Sequence, residues 1–153
     1  MGDTKIIDLH NEHLLKFDKG RVISNVGGYQ SNNITFGYID LINHIIEEFS
    51  KINLKVRLSN FWLNINKGTD FNLPHTHGLD HKLMSVVYYH KLCCDKCPIV
   101  FTDVVPSIYN WKHIIMPQNQ EILFFSGLYP HETMPCQNPD HQRISIAFNF
   151  DIL

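Results

Sequence analysis

One segment of the chain carries the apolar spacing of a helix. Within YIDLINHIIEEFSK, from Tyr38 to Lys51, apolar residues recur three or four positions apart, at Ile39, Ile42, Ile45, Ile46 and Phe49. This spacing predicts one helix with a single buried stripe. The residues before it read differently: positions 1 to 20 are mixed and polar, RVISNV is a short β-like run, and GGYQSNN is typical of a turn or loop.

After Lys51 the pattern changes to period two and to short apolar runs, which predict strands. Six candidates are separated by turns rich in Gly, Pro, Asn and Asp: VRLSNFWLNI, KLMSVVYYH, PIVFTD, WKHIIM, EILFFS and QRISIAFNFDI. Six short strands that follow one helix in the sequence predict a mainly β sandwich or barrel. We expect residues 1–153 to form one domain, with one or two helices packed on one of its sheets.

The last of these strands has two distinct faces, because alternate side chains of a strand point in opposite directions. Its apolar face comprises Ile144, Ile146, Phe148 and Phe150, and its other face comprises Arg143, Ser145, Ala147 and Asn149. Two interpretations of the arginine stay open. It extends to solvent or pairs with a carboxylate of the protein, or it faces the interior and binds a ligand carboxylate with its planar fork, with the serine hydroxyl as a second donor.

Charge and composition narrow the class of partner. A net charge of −2 gives no reason to expect a nucleic-acid partner, which usually requires a basic face. No apolar run approaches the roughly 20 residues of a membrane span, and the first residues match neither a secretory signal nor a myristoylation signal. We therefore expect a cytoplasmic protein that acts on a small molecule or a neutral polymer.

Four cysteines raise the question of a zinc site. The run CCDKC contains Cys93 and a CxxC formed by Cys94 and Cys97, while Cys136 stands alone. A structural zinc site would need two further ligands at regular spacing, and the sequence offers only the isolated cysteine. The spacing therefore favours reduced thiols in a loop.

The clearest candidate for chemistry lies in FNLPHTHGLDHKLM, where four metal-binding side chains fall within seven positions: His75, His77, Asp80 and His81. Farther along, His131 lies between two prolines in YPHETMP, and Arg143 follows twelve residues later. His81 is the least favoured ligand of the four, and His90, His113 and His141 lie outside the cluster; we expect all four of these histidines to be ordinary turn or surface residues.

This order of residues resembles the layout of the iron(II) and 2-oxoglutarate dependent oxygenases, whose fold is a double-stranded β-helix of the jelly-roll kind. More narrowly, the chain is similar to a family of such oxygenases found in marine bacteria and phages. Five segments in order carry the resemblance: NVGGYQS, FWLNI, HTH, VVYYH and RISIAFNF. A phage-encoded member would act in the cytoplasm of its host.

The resemblance implies an iron(II) site with three protein ligands, because such iron leaves the remaining positions to the 2-oxo acid and O₂. In the wider superfamily the near pair is H-x-D and the distant ligand is a histidine. This matches His75 and His131, but position 77 is a histidine. Three options stay open: three histidine ligands, a carboxylate supplied by Asp80 from the turn, or no iron chemistry.

For the co-substrate, the resemblance implies that Arg143 binds the far carboxylate of 2-oxoglutarate with help from Ser145. Tyr88 or Tyr89 would add a hydrogen bond, and only one of them can point inward because strand neighbours face opposite sides. We favour Tyr89, which shares a face with Ser85.

These expectations predict an enzyme, an iron(II) and 2-oxoglutarate dependent dioxygenase that hydroxylates an unknown substrate, either a protein side chain or a small metabolite. The alternative is a cupin-like metal-binding protein or a non-redox metalloenzyme, which would not need an acid-binding arginine. A third possibility is a degenerate fold kept as an interaction module, for which His77 in place of Asp is the main argument.

Overall fold

Two five-stranded antiparallel sheets face each other, and two helices cover the outer side of one of them. The computed structural model describes residues 3 to 93, 97 to 103, 111 to 136, 138 and 140 to 153. The elements follow in this order: α1 (Thr4–Phe17), β1 (Asn25–Val26), β2 (Tyr29–Gln30), α2 (Ile39–Lys51), β3 (Val56–Lys67), β4 (Phe71–His75), β5 (Leu83–Leu92), β6 (Ile99–Thr102), β7 (Lys112–Ile115), β8 (Ile122–Ser126), β9 (His131–Thr133) and β10 (Gln142–Ile152).

Sheet I has the strand order β1-β4-β9-β6-β7, and sheet II has the order β2-β3-β10-β5-β8. The longest strands, β3 and β10, pair along their whole length in sheet II, with Ile144 opposite Ile65 and Phe148 opposite Phe61. Every strand pair is antiparallel. The predicted mainly β architecture, with helices packed on one sheet, is confirmed.

The larger core lies between sheet II and the helices. The apolar face of β10 contributes Ile146, Phe148 and Phe150, all fully buried, which agrees with the alternation in the sequence. Phe49 of α2 packs edge-on against Phe150, with ring centroids 5.4 Å apart. Burying side chains of this size contributes about 1.5–3 kcal/mol each, so this core holds the helices on the sheet.

The second helix begins close to its predicted start, but its buried stripe is shifted. Leu41, Ile45 and Phe49 are buried, whereas Ile39 is 63% exposed. The expectation that Ile39 belongs to the stripe was therefore wrong. Tyr38 precedes the helix with φ of 60°, and its hydroxyl donates to Asn11 Oδ1 at 2.7 Å, which ties α2 to α1.

Four elements were missed by the sequence pattern: α1 and the short strands β2, β4 and β9. Asp3 caps α1 by accepting from Lys5 N at 2.9 Å, and the helix buries Ile7 and Leu14. None of the helices in the described part of the chain is long and apolar enough to cross a membrane.

Candidate metal centre and co-substrate pocket

A cavity of about 230 Å³ opens between the two sheets. The four residues on the polar face of β10 all line it: Arg143, Ser145, Ala147 and Asn149. The alternation that sends the apolar face of β10 to the helices therefore sends the arginine into the interior. The interpretation in which Arg143 extends to solvent does not match this placement, because the residue is only 3% exposed.

Three histidines meet at this cavity. His75 is the last residue of β4 and His131 is the first residue of β9, and the two are directly opposite each other in the pairing of these strands. His77 lies two residues beyond the strand end, where its backbone N–H donates to Gly127 O at 3.0 Å. One ligand atom from each of the three lies within 4.8 Å of the others. The fold thus brings His131 to a pair of histidines from which it is far away in sequence.

Hydrogen bonds fix the orientation of all three rings. Nδ1 of His75 lies 2.7 Å from Leu73 O, and Nδ1 of His131 lies 3.0 Å from Tyr129 O. A carbonyl oxygen can only accept, so each of these Nδ1 atoms carries a proton and donates it. The lone pair on Nε2 is left for a metal, which is the usual arrangement of a ligating histidine.

His77 is oriented in the same way by side chains. Its Nδ1 lies 2.6 Å from Asn149 Oδ1 and 2.9 Å from Ser85 Oγ, and this hydroxyl also donates to Asn149 Oδ1 at 3.1 Å. Asn60 Oδ1 accepts from Asn149 Nδ2 at 2.9 Å, so the amide presents its oxygen to the ring. The Nε2 atom of His77 is therefore also free of a proton.

Burial keeps these imidazoles neutral. Desolvation lowers the pKa of His75, lowers the pKa of His77 to about 4, and lowers the pKa of His131 to about 3, with the neighbouring histidines adding to the effect for the last two. Neutral imidazole is the form that binds a metal ion, so the site is ready to bind one at neutral pH.

Asp80 is not part of this cluster. Its carboxylate is 68% exposed, and Oδ1 accepts from Lys82 N at 2.9 Å within its own turn. His81 is 82% exposed and lies beside it. Among the described residues that line the cavity there is no Asp or Glu. The donor set in the structure is therefore three histidines, and the option in which Asp80 supplies the carboxylate does not match it.

At the other end of the pocket, the Arg143 guanidinium is buried and its Nη2 donates to Asn66 Oδ1 at 3.1 Å. No ion pair joins it to an acidic group among the described residues. Burial lowers the pKa of Arg143, but an arginine stays charged in proteins. A cationic group in this setting calls for an anionic ligand.

Ser145 and Tyr89 lie next to this arginine. They are opposite each other in the pairing of β10 with β5, and both line the cavity. Tyr88 points the other way, into the core beneath the helices, where it is fully buried. The structure therefore brings together Arg143, Ser145 and Tyr89, and it places Tyr88 outside the pocket.

Several pocket residues were not found from the sequence. Trp62 packs on His77 with ring centroids 5.4 Å apart, and the Arg21 guanidinium lies 5.8 Å from the Trp62 ring centroid. Asn64 lines the same wall from β3. The period-two pattern of FWLNI was the available signal, because it puts Trp62 and Asn64 on one face of the strand.

Two histidines expected at the surface are instead buried. His90 is 6% exposed and its Nε2 lies 2.7 Å from Asp8 Oδ1 of α1. His141 is 3% exposed and lies beside Cys97 and Cys136, which are also buried. Cys97 and Cys136 lie in loops, as expected, but both are buried in the fold. Cys94, the other cysteine of the CxxC, lies outside the described residues.

Comparisons with known proteins give the fold a context. No family model and no curated protein matches the chain. Among solved structures, a prolyl-4-hydroxylase from Pseudomonas putida has a TM-score of 0.65 at 14% identity, over 97% of this chain and 84% of that one. A viral collagen prolyl hydroxylase from Paramecium bursaria Chlorella virus-1, solved as a 2-oxoglutarate complex, has a TM-score of 0.64 at 14% identity, over 98% of this chain and 92% of that one.

An oxidoreductase of the 2-oxoglutarate and Fe(II) oxygenase family from Burkholderia pseudomallei has a TM-score of 0.66 at 10% identity, over 94% of this chain and 78% of that one. At these identities the likeness concerns the fold. It confirms the predicted jelly roll: the chain has the double-stranded β-helix fold of the 2-oxoglutarate oxygenases.

Proposed function

We propose that this protein is an iron(II) and 2-oxoglutarate dependent oxygenase, with His75, His77 and His131 as the metal ligands. The observation that carries the proposal is a single cavity with two matched ends. One end holds three neutral imidazoles whose Nδ1 atoms are all engaged, and the other holds the buried cation of Arg143. A dicarboxylate with a 2-oxo acid at one end suits both ends of this cavity.

The donor set fits iron(II), although it departs from the common set of two histidines and one carboxylate. Imidazole nitrogen binds iron, copper, nickel and zinc alike. Replacing the carboxylate by a third neutral ligand leaves the full double positive charge on the metal. Because the cavity lining contributes no acidic group among the described residues, an incoming dianion would offset two of the three positive charges that the metal and Arg143 carry together.

The protein's own residues would hold and orient the reactants. Leu73 O, Tyr129 O and Asn149 Oδ1 keep the three imidazoles in the tautomer that presents Nε2. Arg143 would bind the far carboxylate of 2-oxoglutarate, with Ser145 and Tyr89 as neutral donors beside it. Bound iron(II), together with 2-oxoglutarate and O₂, would supply the oxidant for a substrate C–H bond and release succinate and CO₂.

For the substrate we propose a protein or peptide side chain, with a small metabolite as the rival. Support for a peptide comes from the names of the similar structures, two of which are prolyl hydroxylases at 14% identity. The mouth of the cavity bears Arg21 and Ile23, and Ile23 is 64% exposed. This rim offers both apolar and charged contacts to a chain lying across it.

A second candidate function rests on the donor set. Three histidines with an open position form the catalytic zinc site of some non-redox enzymes. The absence of a carboxylate among the described lining residues favours such a cupin-like or hydrolytic metalloenzyme, whereas the buried Arg143 favours the oxygenase.

One experiment separates the two. Protein purified without oxygen would be loaded with iron(II) and 2-oxoglutarate, and the weak visible charge-transfer band of the bound 2-oxo acid would be recorded before O₂ is added and succinate is measured. The oxygenase predicts both the band and succinate. If metal binds through the histidines but neither signal is obtained at saturating 2-oxoglutarate, the non-redox function would replace it.

A matched pair of variants tests the ligand assignment. His77→Ala should lose iron affinity, while Asp80→Ala, only three residues away, should bind iron as the unaltered protein does because its carboxylate lies outside the cluster. The reverse result would show that Asp80 moves into the site and that the three-histidine set is wrong.

A further inference from the structure

A second group of metal-binding side chains lies apart from the three histidines. It consists of Cys97, Cys136 and His141, which are 3%, 2% and 3% exposed. One ligand atom from each lies within 4.8 Å of the others. The three residues come from separate parts of the chain: just before β6, after β9 and just before β10. Regular spacing in the sequence could not have shown this group.

His141 lies between two sulfur atoms. Its Nε2 is 3.0 Å from Cys97 Sγ, and its Nδ1 is 2.8 Å from Cys93 Sγ. The sulfur of Cys93 also accepts a hydrogen bond from the backbone N–H of Gln142 at 3.1 Å. Cys93 is thus placed to accept the Nδ1 proton, which leaves the lone pair of Nε2 directed to the side where Cys97 lies. A ligating histidine usually has such a partner for its second nitrogen.

The spacing of these atoms is close to that of a tetrahedral zinc site. With Zn–S near 2.3 Å and Zn–N near 2.0–2.1 Å, tetrahedral angles place sulfur and nitrogen ligands roughly 3.6 Å apart and two sulfurs roughly 3.8 Å apart. The observed separation of 3.0 Å between Cys97 Sγ and His141 Nε2, and the limit of 4.8 Å for the whole group, bracket these values. Shifts of an ångström or less would admit the ion.

Backbone hydrogen bonds to Gly68 hold two of the proposed ligands in place. Gly68 N donates to His141 O at 2.9 Å, and Gly68 O accepts from Cys136 N at 3.2 Å. Cys93 N donates to Gln142 O at 3.2 Å, which fixes the end of β5 beside the start of β10. The backbones of two of the three proposed ligands are therefore hydrogen-bonded to the same glycine, so the relative position of these ligands does not depend on the ion alone.

We propose that Cys97, Cys136 and His141 act as three protein ligands of a zinc ion, at a site distinct from the three-histidine centre. Two thiolates and an imidazole form a soft donor set that suits zinc better than magnesium, calcium or manganese. The ion would join β6 and β9 of sheet I to β10 of sheet II at the end of the fold that carries Arg143. The assignment stands whether or not the protein is an oxygenase.

Metal analysis of the whole chain tests this site. Purified without chelators, the protein should contain one zinc per chain at this site, and the metal should persist after mild chelation that empties the histidine site. Cobalt(II) introduced in its place should give an intense thiolate-to-cobalt charge-transfer band, which histidine ligands do not give. A mercurial reagent that modifies thiols should release the zinc from unaltered protein, as read by a metal-sensitive dye.

Matched variants separate this site from its neighbours. Cys97→Ser and Cys136→Ser should lose the zinc and the cobalt band. Cys93→Ser should keep both, because its side chain contacts Nδ1 and serine can accept the same proton. His75→Ala should keep the zinc while emptying the other site. If Cys97→Ser does not fold, the release of zinc from unaltered protein by the mercurial reagent still tests whether thiolates bind the ion.

Three outcomes would overturn the proposal. One is a chain that neither contains zinc nor takes it up from a buffered zinc solution. Another is undiminished thiolate-bound metal in folded Cys97→Ser and Cys136→Ser proteins. The third is a disulfide between Cys97 and Cys136 in freshly purified protein, shown by peptide mass spectrometry.

Discussion

Replacing Arg143 by glutamine should abolish tight binding of 2-oxoglutarate. The guanidinium is 3% exposed and uses one described side-chain hydrogen bond, to Asn66, so most of its five N–H donors remain for a ligand. Removing one partner of a buried, hydrogen-bonded charge pair costs about 2–5 kcal/mol. Taking about 3 kcal/mol, the dissociation constant should rise roughly 100-fold.

Thermal unfolding provides the assay. At a 2-oxoglutarate concentration near 100 times the dissociation constant, the ligand should stabilise the unaltered, metal-loaded, oxygen-free protein by about 2.7 kcal/mol. For a chain of this size that is a rise in melting temperature of roughly 5–11 °C. At the same concentration Arg143→Gln should gain only about 0.4 kcal/mol, or roughly 1–2 °C.

Two other arginines serve as controls. Arg57→Gln makes the same chemical change at an exposed ion pair, where Nη2 lies 3.1 Å from Asp151 Oδ2, and it should keep the full ligand-induced shift. Arg21 lies at the pocket and is the rival anion-binding residue. An undiminished shift in Arg143→Gln, or a shift lost in Arg21→Gln instead, would refute the assignment of the co-substrate pocket.

Four further predictions concern the metal centre and the core. His77→Asp should bind iron(II) more tightly than the unaltered protein, by equilibrium competition with a chelator, because a carboxylate neutralises part of the metal charge. Asn149→Leu should weaken iron binding about 10–100-fold in the same assay, because His77 loses the acceptor that orients it. The metal-free protein should lose stability to urea as the pH falls from about 6.5, the pKa of a histidine in the unfolded chain, to about 4. Over this range the unfolded chain takes up protons, whereas the buried His77 stays neutral down to its folded pKa of about 4 and His131 down to about 3. A flat stability profile over this range would contradict that burial. Ile45→Ala should lower the free energy of unfolding by about 2–5 kcal/mol, measured by urea denaturation of the metal-free protein, because this side chain of α2 is fully buried in the core.

Strands β3, β5, β8 and β10 of sheet II could be predicted because each has one face in an apolar core, whereas the two-residue β2 lies in a segment predicted as a turn or loop. The segments KLMSVVYYH and QRISIAFNFDI correspond closely to Leu83–Leu92 and Gln142–Ile152. Alternation even assigned the faces of β10 correctly, which placed Arg143 and Ser145 in the cavity. Where burial imposes a period of two over about ten residues, the strand can be predicted from the sequence alone.

Strands β4 and β9 of sheet I could not be found in this way. Residues Phe71–His75 include a proline, and His131–Thr133 spans only three residues, so neither shows a period. Their pairing joins positions that are 56 apart in sequence, and no local pattern encodes such a register. The three histidines could be grouped before the structure was known only through the resemblance to an oxygenase family.

Local chemistry in loops decided the remaining differences. Asp80 was a reasonable ligand by proximity, but its carboxylate accepts from the backbone N–H two residues ahead, as aspartates in turns commonly do. His141 seemed an isolated turn residue, and its neighbours come from segments about 44 and 5 positions away in the chain. Contacts between such distant segments depend on how the loops pack over the sheet.

The two faces of β10 also bear on how this protein could change over time. From Arg143 to Phe150, alternate residues of the strand belong to the helix-side core and the residues between them line the cavity. Substitutions at Ala147, or at Trp62 and Val87 on the flanking strands, would reshape the cavity beside the three histidines without removing a side chain from the core beneath the helices. For the proposed oxygenase, selection for a new substrate could therefore act on one face of the sheet at little cost in folding.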